Sequence, residues 1–126
     1  MLVILSAYRA DLPVERNEER HARMRATLDA SGFDYHETVG AFESSPERGF
    51  AIEPRDPDAV RQLAAAFGQR CVLAVEALHG AWLWWLDVRG GIDRTEPLGA
   101  WREVPEAEAK AAPAWTGYGG RWYVAG

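Results

Sequence analysis

Runs and alternations of apolar residues divide the first part of the chain into strands and one long helix. A continuous apolar run over Leu2–Ala7 predicts a buried strand. An amphipathic segment over Val14–Ala30 predicts a helix, because acids lie at its start, bases lie further along, and Ser31-Gly32 can stop it. The alternating segment Phe33–Phe42 predicts a second strand, and Gly49–Glu53 a short third one.

A second helix has the clearest pattern in the sequence. Asp56 is suited to cap it, Pro57 fits its first turn, and Gly68 can end it. Between them, apolar residues recur at the spacing of one helix face. These residues are Val60, Leu63, Ala64 and Phe67.

The segments Arg70–Ala77 and Ala81–Val88 predict an antiparallel hairpin whose second strand is rich in tryptophan. Trp82 and Trp84 share one face of that strand and Trp85 lies on the other. Each buried aromatic side chain contributes on the order of 2 kcal/mol or more, so we expect both faces to be covered. The cover is either the rest of the chain or a partner, which makes the three tryptophans a candidate interface.

The elements follow the order β-α-β-β-α-β, which matches a ferredoxin-like arrangement. We therefore expect an α+β fold, with a mostly antiparallel sheet, two helices on one face, an added C-terminal hairpin strand and an aromatic tail. The chain is expected to form a single domain over residues 1–126, with a core at 1–88 and an extension at 89–126 that packs on it. In the extension, Arg121–Val124 is expected to be a last edge strand.

Composition and charge exclude several classes of protein. No apolar run approaches the roughly 18 residues that span a bilayer, and the first residues lack the basic start of a signal peptide, so we expect no membrane contact and a cytoplasmic location. The net charge of −5 argues against a nucleic-acid partner. The lone cysteine, Cys71, excludes an internal disulfide and is expected to be a buried thiol.

The inward stripe of the first helix is polar in its leading half, where Asn17 and Arg20 or His21 precede Met24 and Leu28. In a strand–helix unit this half lies beside the end of the strand, and a helix N-terminus favours anions.

The residues expected to hold a phosphate or a carboxylate there are Tyr8, Arg9, Asn17 and Arg20. The structural alternative is that Arg20 pairs with an acid such as Glu47, while Asn17 satisfies loop carbonyls. No other pattern indicates chemistry, because the three histidines lack metal-ligand spacing and no nucleophile motif is present. We therefore assign no catalytic residue, no metal site and no cofactor.

Three short motifs occur in order: S-A-Y-R at 6–9, N-E-E-R at 17–20 and F-G-Q-x-x-V-L at 67–73. Together they resemble a family of short bacteriophage and bacterial proteins known only as a domain of unknown function. The resemblance implies a phage or prophage accessory protein without an established activity. It also implies that the asparagine and arginine of the second motif, and Gln69 of the third, are recurring positions.

Three functional hypotheses remain open. The leading one is a small non-enzymatic binding protein, a phage accessory factor that acts by contact with a host protein. The second is a binder of a small anionic ligand, such as a nucleotide phosphate, at the junction of the first strand and first helix. The third is an enzyme of a class that the sequence does not identify. Self-association into a homo-oligomer, through a sheet face or an edge strand, is a further expectation.

Overall fold

A computed structural model describes residues 1–126 and shows one nine-stranded sheet and three helices. None of the helices has the length and apolar character needed to cross a membrane. In chain order the elements are β1 (Leu2–Leu5), α1 (Val14–Ala30), β2 (His36–Phe42), β3 (Ser45–Ile52), α2 (Pro57–Ala66), β4 (Cys71–Glu76), β5 (Gly80–Leu86), β6 (Ile92–Gly99), β7 (Trp101–Val104), α3 (Glu106–Lys110), β8 (Trp115–Tyr118) and β9 (Arg121–Ala125).

The strands follow the order β6-β5-β4-β1-β3-β2-β8-β9-β7, and the paired strands are antiparallel. The ferredoxin-like prediction is therefore wrong. The segment after β5 extends the sheet instead of covering it as a tail, because β6 pairs with β5 and β8 pairs with β2. The expected strand at Arg121–Val124 is present as β9, but its expected position at the edge is wrong, since β9 lies between β8 and β7. These strands are half-exposed, so their apolar alternation is weak in the sequence.

The sheet curls until its two edges come close together. β6 and β7 lie at opposite edges of the strand order, yet the single residue Ala100 connects them. The amide of Gly126, after β9, donates to the carbonyl of Ala100 at 2.8 Å. Gly80 packs so closely on β6 that an added β-carbon would lie 2.4 Å from the carbonyl oxygen of Gly99. A nearly closed sheet is the result.

Helices α1 and α2 pack on the same face of the central strands. Phe50 of β3 lies in this core with Met24 and Leu28 of α1 and Val60 of α2, and all four are fully buried. α1 also buries Asn17 and His21, which confirms that its polar leading half faces inward. The third helix, α3, covers a smaller cluster at the far end of the sheet. That cluster contains Val104, Ala109 and Val124.

The local signals at α2 act as the sequence indicated. The side chain of Asp56 caps the helix by accepting a hydrogen bond from the amide of Asp58 at 3.0 Å, and Pro57 occupies the first turn. Gly68 follows the helix with φ of +75°, a conformation that glycine adopts without steric cost.

The tryptophans of β5 divide between the two faces of the sheet. Trp84 packs against the helix-covered core and lies beneath the guanidinium of Arg61, 5.2 Å from the ring centre. Trp85 lies on the helix-free face, half-buried beneath Arg94 at 4.4 Å. Their role, and that of Trp82, as an interface stays a prediction.

We predict that Gly49→Ala destabilises the fold by about 2 kcal/mol or more, because an added β-carbon would lie 2.4 Å from the Leu5 carbonyl and force β1 and β3 apart. Urea unfolding monitored by tryptophan fluorescence measures the change. Gly119→Ala is the control, since nothing lies within 4 Å of its added β-carbon and only the strain at φ of +61° remains. Equal losses in the two variants would contradict the close approach of β1 and β3.

Candidate functional site

Asn17 closes the loop between β1 and α1. Its side-chain oxygen accepts from the amide of Arg9 at 2.8 Å, and its side-chain nitrogen donates to the Arg9 carbonyl at 3.0 Å and the Leu12 carbonyl at 3.4 Å. Asn17 is 6% exposed, so these hydrogen bonds take the place of hydrogen bonds to water. This is the structural alternative that the sequence left open for Asn17.

Arg20 has a similar role at the other side of the loop. Its guanidinium donates to the carbonyl of Ala7 at 2.7 Å and to the carbonyl of Phe67. The expected alternative pairing with Glu47 is wrong, because Arg20 joins backbone segments instead of a carboxylate. Gln69 donates to the carbonyl of Tyr8 at 2.9 Å. Gln69 reaches that site because β4 runs antiparallel to β1, which brings its start beside the end of β1.

Arg9 and Tyr8, the other two residues expected to bind a ligand, contact acidic side chains of the chain itself. The Arg9 guanidinium pairs with Asp11 at 2.8 Å, and the Tyr8 hydroxyl donates to Glu18 at 2.8 Å. The backbone around the junction therefore brings Tyr8, Arg9, Asn17 and Arg20 together, and each already has a partner in the chain. Their role in holding an anionic ligand stays a prediction.

A charged network lies on the helix-covered face of β2 and β3. Glu37 accepts from Arg25 at 2.7 Å and from the Nε2 of His21 at 2.7 Å, and Arg48 lies 3.5 Å away. Arg48 also donates to Glu18 at 2.7 Å. The Arg25 and His21 contacts hold the pKa of Glu37 below its usual range.

His21 is the buried member of this helix-face network. It is 1% exposed, stacks on Phe50 with ring centres 4.4 Å apart, and its Nδ1 has no hydrogen-bond partner. Desolvation lowers the pKa of His21, although the bond to Glu37 opposes that shift. The side chain is therefore neutral near pH 7 and serves as a packed link between α1 and β2.

A small cleft of about 230 Å³ adjoins the helix-face network. It is smaller than the roughly 300–1,000 Å³ that ligand pockets occupy. Its charged side chains Glu37 and Arg48 are neutralised within the chain. The cleft therefore has little unpaired charge for a ligand. Its lining also includes Tyr118, Arg121 and Trp122.

Glu47 has a different environment from the acids of the network. It alternates with Arg48 and Phe50 along β3, so its side chain is on the helix-free face. No basic residue pairs with its carboxylate. Burial raises the pKa of Glu47 to about 7, and the nearby Ser6 hydroxyl opposes this increase. A half-buried acid without a protein cation is a functional-site candidate.

Glu47 shares the helix-free face with Ser6 and with Cys71 of β4. Ser6 is 7% exposed, and Cys71 is half-buried. Burial, followed by the nearby charge of Glu47, raises the pKa of the Cys71 thiol to about 11. The thiol is therefore protonated near neutral pH and is a poor nucleophile. We refer to Glu47, Ser6 and Cys71 as the Glu47 cluster.

From the sequence, Glu47 is one of the acids expected to pair with Arg20. The sequence predicted this strand only from Gly49, whereas β3 begins at Ser45. Had the strand been extended to Ser45, the alternation would have placed Glu47 on the same face as Gly49 and Ala51. That placement is the signal by which the sequence could have identified a carboxylate directed away from the helices.

The chain belongs to the S-adenosylmethionine lyase family, whose family model matches residues 3–126. No curated protein matches the sequence. The resemblance to a domain of unknown function is therefore wrong, and the match does not support the phage origin that it implied. The hypothesis of a non-enzymatic protein that binds a host factor is also wrong, because the family is one of enzymes. The third hypothesis, an enzyme, agrees better with the match.

We predict that Asn17→Ala lowers the free energy of unfolding by about 2 kcal/mol, because the Arg9 amide and carbonyl lose their buried partners. Urea unfolding measures this loss. The neighbouring exposed residue provides the control, since Arg16→Ala is expected to stay within about 0.5 kcal/mol of the parent protein. If both substitutions have the same small effect, Asn17 does not hold the loop.

We predict that Glu47→Gln stabilises the protein at pH 8 by about 3 kcal/mol and that this gain disappears near pH 4. The folded-state pKa is raised from 4.5 to about 7, so the folded state favours the protonated acid. The contribution of the Glu47 side chain to stability is therefore fully present below pH 4.5, and it is lost as the pH rises through 7. Urea unfolding of both proteins from pH 4 to pH 8 measures the difference. A gain that is independent of pH would contradict the raised pKa.

Proposed function

We propose that this protein is a lyase that cleaves S-adenosylmethionine at a carbon–sulfur bond without consuming water or a methyl acceptor. The family match over residues 3–126 is the observation that carries this proposal. The Glu47 cluster supports it. S-adenosylmethionine has two cationic groups, a sulfonium and an ammonium, and Glu47 is a half-buried, desolvated carboxylate for which the chain supplies no cation.

The chemistry of the sulfonium limits the reaction to two routes. In an elimination, a base removes a hydrogen from the β-carbon of the methionine part while the bond from the γ-carbon to sulfur breaks. In an intramolecular displacement, the substrate's own carboxylate attacks the γ-carbon. Both routes release neutral methylthioadenosine, since the electron pair of the broken bond stays on sulfur.

The residues on the helix-free face favour the displacement. The β-hydrogen is not next to a carbonyl, so its removal needs a base much stronger than a carboxylate with a pKa of about 7. The displacement needs no protein base. One carboxylate oxygen forms a bond to the γ-carbon as the carbon–sulfur bond breaks, and the product is a five-membered lactone. No proton moves and no cofactor is consumed.

We assign Glu47 to the substrate's ammonium group. Only interactions that persist or strengthen in the transition state accelerate a reaction. The sulfonium charge disappears as the bond to sulfur breaks, so an anion placed against it would stabilise the reactant more than the transition state. The ammonium keeps its charge throughout. A carboxylate on the ammonium therefore positions the methionine part without slowing the reaction.

This assignment links binding to the ionisation of Glu47. With a pKa of about 7, the free enzyme is partly protonated at neutral pH. Binding of a cation favours the ionised carboxylate and releases a proton. The ratio kcat/KM is therefore expected to rise with pH through about 7. The acids of the helix-face network cannot serve in this way, since Arg25 and Arg48 already neutralise Glu37.

We also propose that the protein self-associates and that it is cytoplasmic. Self-association is supported by the exposed side chains of β6 and by the position of β6 and β7 at the sheet edges, where backbone groups are free to pair. A cytoplasmic location is supported by the free thiol of Cys71, since unpaired cysteines are typical of reducing compartments.

We predict that the purified protein converts S-adenosylmethionine to methylthioadenosine and the lactone of homoserine. Mass spectrometry of reactions in water labelled with oxygen-18 measures the products. A lyase gives unlabelled lactone at early times, whereas a hydrolase gives labelled homoserine from the start. Intact substrate, or labelled homoserine at the earliest times, would contradict the lyase assignment.

Two glutamate variants test the placement of the substrate. Glu47→Gln is expected to lower kcat/KM by about 100-fold, which corresponds to the loss of one buried charged contact. Glu37→Gln is its matched partner on the opposite face and is expected to retain most activity. If Glu37→Gln is the inactive variant and Glu47→Gln is not, the substrate lies in the cleft beside the helix-face network and the assignment of Glu47 is wrong.

A further inference from the structure

A row of aromatic rings crosses four neighbouring strands of the sheet. Trp101 of β7 stacks on Tyr123 of β9 with ring centres 5.3 Å apart, and Tyr123 stacks on Tyr118 of β8 at 5.4 Å. His36 of β2 follows, with its ring centre 5.9 Å from that of Tyr118. Three of these side chains are half-buried and His36 is exposed, so the rings keep surface that a ligand can contact. We refer to Trp101, Tyr123, Tyr118 and His36 as the aromatic row.

Strand pairing places the aromatic row on the same face as Glu47. Gly40 of β2 lies opposite Glu47 of β3. Thr116 of β8 lies opposite Gly40, and Tyr123 of β9 lies opposite Thr116. Residues that are directly opposite in antiparallel strands share one face of the sheet. The carboxylate and the Tyr123 ring therefore both project from the helix-free face, with two residues between them.

The two residues between Glu47 and Tyr123 are small. Gly40 has no side chain, and the side chain of Thr116 is short. Gly40 cannot be enlarged, because an added β-carbon would lie 2.3 Å from the carbonyl oxygen of Trp115. The surface from Gly40 to Thr116 is therefore a low, uncharged strip, with a carboxylate at one end and aromatic rings at the other.

The length of this strip matches that of the proposed substrate. Neighbouring strands lie about 4.8 Å apart, which places β3 and β9 about 14 Å from each other. A flat ring packed on Tyr123 would lie about 4 Å from it. About 10 Å then remains to the strand that carries Glu47, and extended S-adenosylmethionine spans about 10 Å from its ammonium to its adenine ring.

We propose that the aromatic row binds the adenine ring of S-adenosylmethionine, with Tyr123 as the principal contact. The inference rests on the proposed lyase function and on the assignment of Glu47 to the ammonium group. It places the sulfonium over Gly40 and Thr116, which carry no charge. An uncharged surface suits this position, because it does not favour the sulfonium of the reactant over the neutral sulfur that forms as the bond breaks.

The test is isothermal titration calorimetry with methylthioadenosine, the product that carries the adenine ring. From the strength of base–aromatic stacking, Tyr123→Leu should weaken binding by about 30-fold. Tyr123→Phe keeps the ring and is expected to bind within about threefold of the parent protein. Trp122→Leu is the matched control and is expected to bind as the parent does, because Trp122 is also half-buried but projects to the opposite face.

A second variant tests the strip without the removal of a ring. Thr116→Phe would fill the space between Glu47 and Tyr123, and we expect it to abolish the binding of methylthioadenosine. This measurement stands even if Tyr123→Leu does not fold. Unchanged binding in Thr116→Phe would overturn the proposal.

The other outcomes separate the adenine site from the fold and from the reaction. Equal losses in Tyr123→Leu and Trp122→Leu would show that the rings only support the fold. A loss in Trp122→Leu alone would place the adenine in the cleft beside the helix-face network. Either result, or no binding by the parent protein, overturns the proposal.

The lyase function can fail independently of the adenine site. A parent protein that binds methylthioadenosine through Tyr123 but leaves S-adenosylmethionine intact overturns the lyase function and leaves the adenine site supported. Conversion of S-adenosylmethionine together with unchanged binding in Tyr123→Leu overturns the adenine site alone.

Discussion

The alternation of side chains along β3 is the constraint on which the rest of the structure depends. β3 is the central strand of the nine-stranded sheet, and it pairs with β1 on one side and β2 on the other. Phe50 and Arg48 project toward the helices, where one enters the core and the other bonds to Glu18 of α1. Glu47 projects to the opposite face. The same pairing therefore builds the core and separates a neutralised network from an isolated acid.

The two polar clusters differ in what the fold supplies to them. On the helix-covered face, each acid meets a base, so the charges stabilise the packing of α1 on the sheet. On the helix-free face, Glu47 is desolvated and no basic side chain pairs with its carboxylate. The fold is less stable when Glu47 is ionised, and a cationic substrate would offset that penalty. Strained or unpaired groups of this kind are typical of sites where stability is lost in favour of function.

Prediction from sequence succeeded where the signal was local. The bounds of α1, the cap of α2 and the inward polar stripe of α1 follow from side-chain chemistry within a few residues. The fold class was wrong because pairing partners far apart in sequence decide it. Most residues of β6, β7, β8 and β9 are half-buried or exposed, so nothing local shows that these strands extend the sheet on both sides. For the same reason, the start of β3 at Ser45 and the face on which Glu47 lies were not predicted from the sequence.

By itself, the sequence determined the two longer helices, which residues of α1 face inward, and that one thiol cannot form a disulfide within the chain. Only the tertiary structure decided that a single residue between β6 and β7 closes the sheet, and that Asn17 and Arg20 bond to backbone carbonyls. It also decided that no basic side chain pairs with the Glu47 carboxylate. The physical reason is that an ionisable side chain takes its properties from groups brought near it by strand pairing, and that pairing depends on the whole sheet.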